Sequence, residues 1–143
     1  MLKLNRRTEY ALLALRYLST PGREIASVRI VAEHYGLPEP LLAKVLQRLK
    51  RGGLTTATKG SAGGYTLARC LDDVPLMEVL KLFDESTRLV GCIEETDGCE
   101  CHLHPSCEIR TGMTALNSLL VTQLRHLSVA TFFAGETQPM GAQ

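Results

Sequence analysis

Apolar side chains recur along the first half of the chain with helical spacing. In TEYALLALRYLS, Tyr10, Leu13, Ala14, Tyr17 and Leu18 share one face, which predicts a helix with a single buried stripe. Pro21 and Gly22 break it. Ser27 is a candidate N-cap for a second helix, VRIVAEHY, with Val28, Val31, Ala32 and Tyr35 inward. Gly36 can close that helix, and Pro38 or Pro40 can sit in the first turn of a third, PLLAKVLQRLKRGG. There Leu42, Val45, Leu46 and Leu49 form the apolar face, Lys44, Arg48, Lys50 and Arg51 stay in solvent, and Gly52 and Gly53 end it. The period then changes. LTTATKGSAGGYTLAR alternates around a glycine-rich tip and reads as a β-hairpin. In DDVPLMEVLKLFDES, Asp72 or Asp73 can cap, Pro75 can sit in the first turn, and Met77, Val79, Leu80 and Phe83 point to the core.

From about Glu108 to Thr131 the pattern predicts one long helix, about 36 Å at about 1.5 Å per residue. Ile109, Met113, Leu116, Leu120, Leu124 and Leu127 are spaced 4, 3, 4, 4 and 3 residues apart. That near-heptad stripe fits packing on the domain or on a second copy of the chain. The tail AGETQPMGAQ has no period and reads as disordered. The fold class expected is mainly α with a small β-hairpin: a winged helix-turn-helix followed by a long C-terminal helix.

Charge divides the chain. Residues 1–60 hold eleven Lys/Arg against four Asp/Glu, and residues 61–143 hold five against eleven. The basic half suggests a polyanion partner; two solvated faces of one fold is the plainer alternative. A helix that exposes Lys44 and Arg48 while burying leucines can lie in a major groove. Pro38, Glu39, Pro40 and Leu41 stand at its entrance, and Ser27 starts the helix before it. Lys59, Gly60 and Ser61 at the hairpin tip can reach phosphates or the minor groove. These residues are the expected contacts to double-stranded DNA. No apolar run approaches the roughly 20 residues that span a bilayer. The amphipathic start lacks a cleavage site, so a cytoplasmic protein with no membrane partner is expected.

Four of the five cysteines fall within CIEETDGCECHLHPSC, with six, one and five residues between them. Reduced thiols clustered in a cytoplasmic protein point to metal or redox chemistry rather than a structural disulfide pair. Zinc would need four closed ligands; the C-x2-C knuckle is absent, though His102 and His104 could contribute. A thiol switch could use Cys99 and Cys101 but does not explain four cysteines. Nothing forms an oriented Cys–His–Asp constellation, so the chain reads as a non-enzyme. An iron–sulfur cluster, 2Fe-2S or 4Fe-4S, fits the thiolates best. Cys70 lies apart and reads as a small buried apolar residue.

TEYALLALRYLS, GLPEPLLAKVLQRLKRGGLTTATKGSAGGYTLAR, PLMEVLKLFD and CHLHPSCEIR together resemble the bacterial winged-helix regulators that include the iron–sulfur cluster regulator IscR and the nitric oxide sensor NsrR. The resemblance covers roughly residues 1–130. It implies a homodimer joined through the long C-terminal helices, an operator of approximate dyad symmetry, and one iron–sulfur cluster per subunit. It divides the chain into a DNA-binding domain over 1–84, a cluster-binding loop over 85–107, a dimerisation helix over 108–131 and a tail over 132–143. Cys92 matches the first ligand and Cys107 the last, while Cys99 and Cys101 compete for the middle unless all four ligate. The IscR pattern's histidine falls on Arg110 here and fails. The NsrR pattern's acidic ligand, from the first helix of the other subunit, falls on Glu9. A carboxylate beside thiolates is hard and easily displaced. Without the resemblance, Glu9 would read as a solvated first-turn residue near the helix's positive end.

Overall fold

The computed structural model describes residues 3–93, 101 and 106–135. Three helices open the chain: α1 (Arg6–Leu18), α2 (Val28–Tyr35) and α3 (Glu39–Arg51). An antiparallel hairpin follows, β1 (Thr55–Thr58) and β2 (Gly64–Leu67), in the register Thr55↔Leu67 to Thr58↔Gly64. A short 3-10 turn, Leu71–Asp73, leads to α4 (Leu76–Leu82), and the chain returns through α5 (Arg110–His126) and α6 (Val129–Ala134). Among the described residues, no helix is long and apolar enough to cross a membrane.

The local chemistry explains the helix boundaries. The Asn5 side chain accepts from the Thr8 N–H, and Ser27 accepts from the Ile30 N–H, so each satisfies a backbone donor that the first turn leaves open. Gly36 ends α2 in the left-handed region at φ 64°, which glycine enters without a Cβ clash. Pro38 stands at the N-cap of α3, and Pro40 lies in its first turn. The expected caps of α4 are displaced: Asp72 and Asp73 are absorbed in the 3-10 turn, and Pro75 takes the N-cap position.

The core forms where α3 packs on α1 and α2. Leu42, Val45, Leu46 and Leu49 are all buried, opposite Ala11, Leu15 and Leu18 of α1. Each such side chain contributes about 1.5–3 kcal/mol through removal from water. The hairpin is fastened to the helices by a bridge between Ala26 and Tyr65, whose backbone groups exchange hydrogen bonds of 3.1 and 2.7 Å. That approach requires glycine at 64, where an added Cβ would fall 2.5 Å from the Ala26 carbonyl.

The long C-terminal helix is not continuous to Thr131. It stops at His126; Leu127 is extended at ψ 112°, and Ser128 caps a separate α6. Tertiary pairing overrides the helical pattern. Leu76 N–H donates to the Leu127 carbonyl and Val129 N–H to the Val74 carbonyl, each at 2.8 Å, and Val129 enters the core fully buried. The break also brings residues 132–134 of the expected tail into helix, and residues 136–143 lie outside the described residues. Removing a core contact of α3 by Leu46→Ala is expected to lower the unfolding free energy by about 2–5 kcal/mol in urea titrations.

Candidate nucleic-acid interface and cysteine segment

α3 buries one face and turns the other outward. Pro40, Lys44, Gln47 and Arg51 lie on the outer stripe, spaced four, three and four residues apart, and all are exposed. None of the three salt bridges among the described residues uses Lys44, Lys50, Arg51 or the hairpin's Lys59. The face therefore offers a row of cations with a side-chain amide in its middle. Gln47 was not singled out by its residue type, but its place one turn beyond Lys44 was readable from the helical period. Such an amide can pair both polar edge atoms of an adenine.

The other expected contacts divide. Lys59, Gly60 and Ser61 form an exposed tip, closed by the Gly63 N–H donating to the Gly60 carbonyl at 3.0 Å. Pro38 and Glu39 are exposed at the start of α3, whereas Leu41 is half-buried against the core. The Ser27 hydroxyl is engaged as the cap of α2. Arg48 does not stand free in solvent as its sequence position suggested. It donates to Asp84 at 2.6 Å and lies 5.5 Å from the centroid of the Phe83 ring.

A corner at Phe83–Glu85 links this face to the rest of the chain. The Phe83 carbonyl accepts from the Asn5 side chain at 3.1 Å. Glu85 accepts from the Asn5 N–H and from the fully buried Thr8 hydroxyl, each at 2.6 Å. Glu9 sits one residue beyond Thr8 and is exposed. Beyond the corner, Leu89 N–H donates to the Asn117 side chain of α5 at 3.0 Å. A cleft of about 620 Å³ runs between α4 and α5, bounded by Asp84, Glu85, Asn117 and Ile93. Ile93 follows Cys92 directly.

Cys92 and Cys107 are half-buried and Cys101 is exposed; all three are free thiols. Cys99, His102 and His104 lie outside the described residues. Among the described residues no three His, Cys, Asp or Glu side chains converge as a metal site. The donors thus suit thiolate-bound iron in kind, while Cys92, Cys101, Cys107 and Glu9 are not brought together within one chain. Arg110, at the position where the IscR pattern has histidine, opens α5. Cys70 is not buried: it is exposed at the start of the 3-10 turn and donates to the Asp72 carboxylate at 3.2 Å.

The profile of the Rrf2 family, described as iron-dependent transcriptional regulators, matches residues 4–135. The chain belongs to the Rrf2 family. Rrf2 regulators bind DNA and are not enzymes. Protein aau3 of Rhizobium meliloti (strain 1021) is 31% identical over 118 residues, which cover 82% of this chain and 76% of that one. The Rrf2 fold is also that of CymR, the global cysteine regulator of B. subtilis, at a TM-score of 0.72 and 17% identity, covering 96% of this chain and all of that one. IscR of T. potens superposes at a TM-score of 0.66 and 22% identity, covering 99% of this chain and 93% of the other.

The corner is expected to support α1 measurably. Glu85→Ala removes an acceptor from one backbone and one buried hydroxyl donor, and should lower stability by about 1–3 kcal/mol in urea unfolding.

Proposed function

We propose that this Rrf2 regulator is a homodimer that binds operator DNA through α3 and the hairpin, under the control of an iron–sulfur cluster held by the cysteine segment. The observation that carries this reading is that Cys92, Cys101 and Cys107 are free thiols in the stretch of sequence between the Phe83–Glu85 corner and α5. Cys92 and Cys107 are the outer ligands, Cys99 or Cys101 supplies the middle one, and Glu9 of the other subunit is the candidate fourth. A cluster so held would supply a centre sensitive to oxidation and to small-molecule ligands of iron. A cytoplasmic setting suits both the DNA partner and reduced thiols.

α5 supports the homodimer. It spans 17 residues without one buried side chain, and Leu116 and Leu119 on it, with Ile109 at its N-cap, are more than half exposed. A second copy of the same helix would cover them. Lys44, Gln47 and Arg51 then read the major groove while Lys59, Gly60 and Ser61 approach the backbone beside it. A dimer must present two α3 helices at the spacing of two half-sites. The chain offers a route for changing that presentation: the cysteine segment begins where Leu89 grips α5 and where Glu85 and Asp84 grip α1 and α3.

Iron and acid-labile sulfide, counted in anaerobically purified protein together with its absorption spectrum, test the reading. Both should be present, and Cys92→Ala or Cys107→Ala should lose both. Glu9→Ala should alter the visible spectrum with iron retained, and an unchanged spectrum removes Glu9 from the ligand set. Colourless protein carrying zinc contradicts the cluster. Metal-free protein in which Cys99 and Cys101 oxidise reversibly to a disulfide assigns the segment to a thiol switch instead.

A further inference from the structure

Arg48 sits one position past Gln47, at the edge of the exposed face of α3. Its guanidinium is held on two sides by the corner, with the Asp84 carboxylate at 2.6 Å and the Phe83 ring 5.5 Å away. Asp84 adopts φ 58°, and among the described residues it alone takes a positive φ without being glycine. That conformation is uncommon for a residue with a Cβ, although Asp and Asn tolerate it better than most. The backbone thus aims this carboxylate at α3. The pair remains wet: the Arg48 side chain is 34% exposed and that of Asp84 is 76% exposed. An ion pair in such a setting is weak and exchanges readily.

A DNA phosphate is the stronger competitor for the same guanidinium. It presents two oxygens to the planar fork, within a backbone of uniform negative charge. We propose that Asp84 competes with the DNA backbone for Arg48 and thereby limits how tightly the regulator holds its operator. The proposal rests on the reading that the exposed face of α3 meets DNA. In the free protein Arg48 is neutralised by Asp84. On DNA a phosphate takes the guanidinium, and Asp84 is left as an unpaired anion beside a polyanion. Both effects oppose binding, and both vanish when the carboxylate becomes an amide. Asp84 lies two residues past the end of α4 and precedes the residues that lead to Cys92, so the charge at the edge of α3 is set by the same stretch of backbone that enters the cysteine segment.

The test uses a duplex selected from a random-sequence pool by the wild-type protein, titrated anaerobically by fluorescence anisotropy across a potassium chloride series. Asp84→Asn keeps the shape and the tolerance of positive φ; Asp84→Gly, which favours that backbone, checks that any effect belongs to the charge. Either variant should bind about two- to fivefold tighter, the scale of an exposed ion pair. The slope of log affinity against log salt should steepen by up to about one, because the carboxylate released in the wild type takes up a cation that an amide does not. In the Arg48→Ala background only the repulsion between Asp84 and the backbone remains, so Asp84→Asn should gain less there than it gains in the wild type. Wild-type affinity and slope in both Asp84 variants overturn the proposal, as does a gain from Asp84→Asn that is undiminished in the Arg48→Ala background. Lys44→Ala separates the two levels. If it lowers the slope while the Asp84 variants change nothing, only the competition fails; if it leaves the slope untouched, α3 is withdrawn from the DNA and the competition falls with it.

Discussion

Three consecutive residues after α4 bond to both α1 and α3, the helix proposed to meet DNA. Phe83 is buried and gives its carbonyl to Asn5. Glu85 takes the Asn5 N–H and the buried Thr8 hydroxyl, and Asp84 takes Arg48. Loss of Glu85 would leave the buried Thr8 hydroxyl only its longer contact with the Asn5 side-chain oxygen, at 3.3 Å. The first turn of α1 and the last turn of α3 are therefore located relative to one short stretch of backbone, and that stretch begins the path to the cysteines. The two ties differ in kind: the one to α1 closes on a buried hydroxyl, while the one to α3 is a wet ion pair backed by the Phe83 ring.

The winged helix-turn-helix was legible because its elements are specified locally. The leucine period of α3, the Ser27 and Gly36 boundaries of α2 and the alternation around the hairpin all depend on neighbours within a few residues. The features that escaped are set by partners far along the chain. Leu127 and Ser128 carry a good helical pattern, yet the free edge of residues 74–76 draws them into extended pairing. Arg48 looks like any solvent-facing cation until Asp84, 36 residues later, lands beside it. Cys70 suggests a small buried residue by type, but its place at the mouth of a 3-10 turn leaves the thiol outside. Gln47 carries no charge to attract notice, although its spacing from Lys44 puts it on the same face.

The cysteine segment shows a different limit. Thiol spacing alone left several chemistries open, and the family match narrows the setting to regulators described as iron-dependent. Structures of the same fold include a global cysteine regulator as well as IscR. The scaffold is therefore shared while the chemistry of sensing is carried by the residues placed on it. In this chain the proposed sensing residues are thiols on a stretch that also carries Leu89, bonded to Asn117 of α5, and Glu85, bonded to the buried Thr8. On the proposed reading, a change in what the thiols bind would have two mechanical outlets, α5 and the contacts of Phe83–Glu85 with α1 and α3.

Control of DNA binding by metal on the cysteines is tested most directly by operator affinity, measured on one anaerobic preparation before and after iron removal at constant salt. A coupling of ordinary size shifts the dissociation constant by about 5–150-fold, and re-supplying iron and sulfide should restore the original value. Equal affinities in the two forms, with iron loss confirmed by analysis, would contradict it.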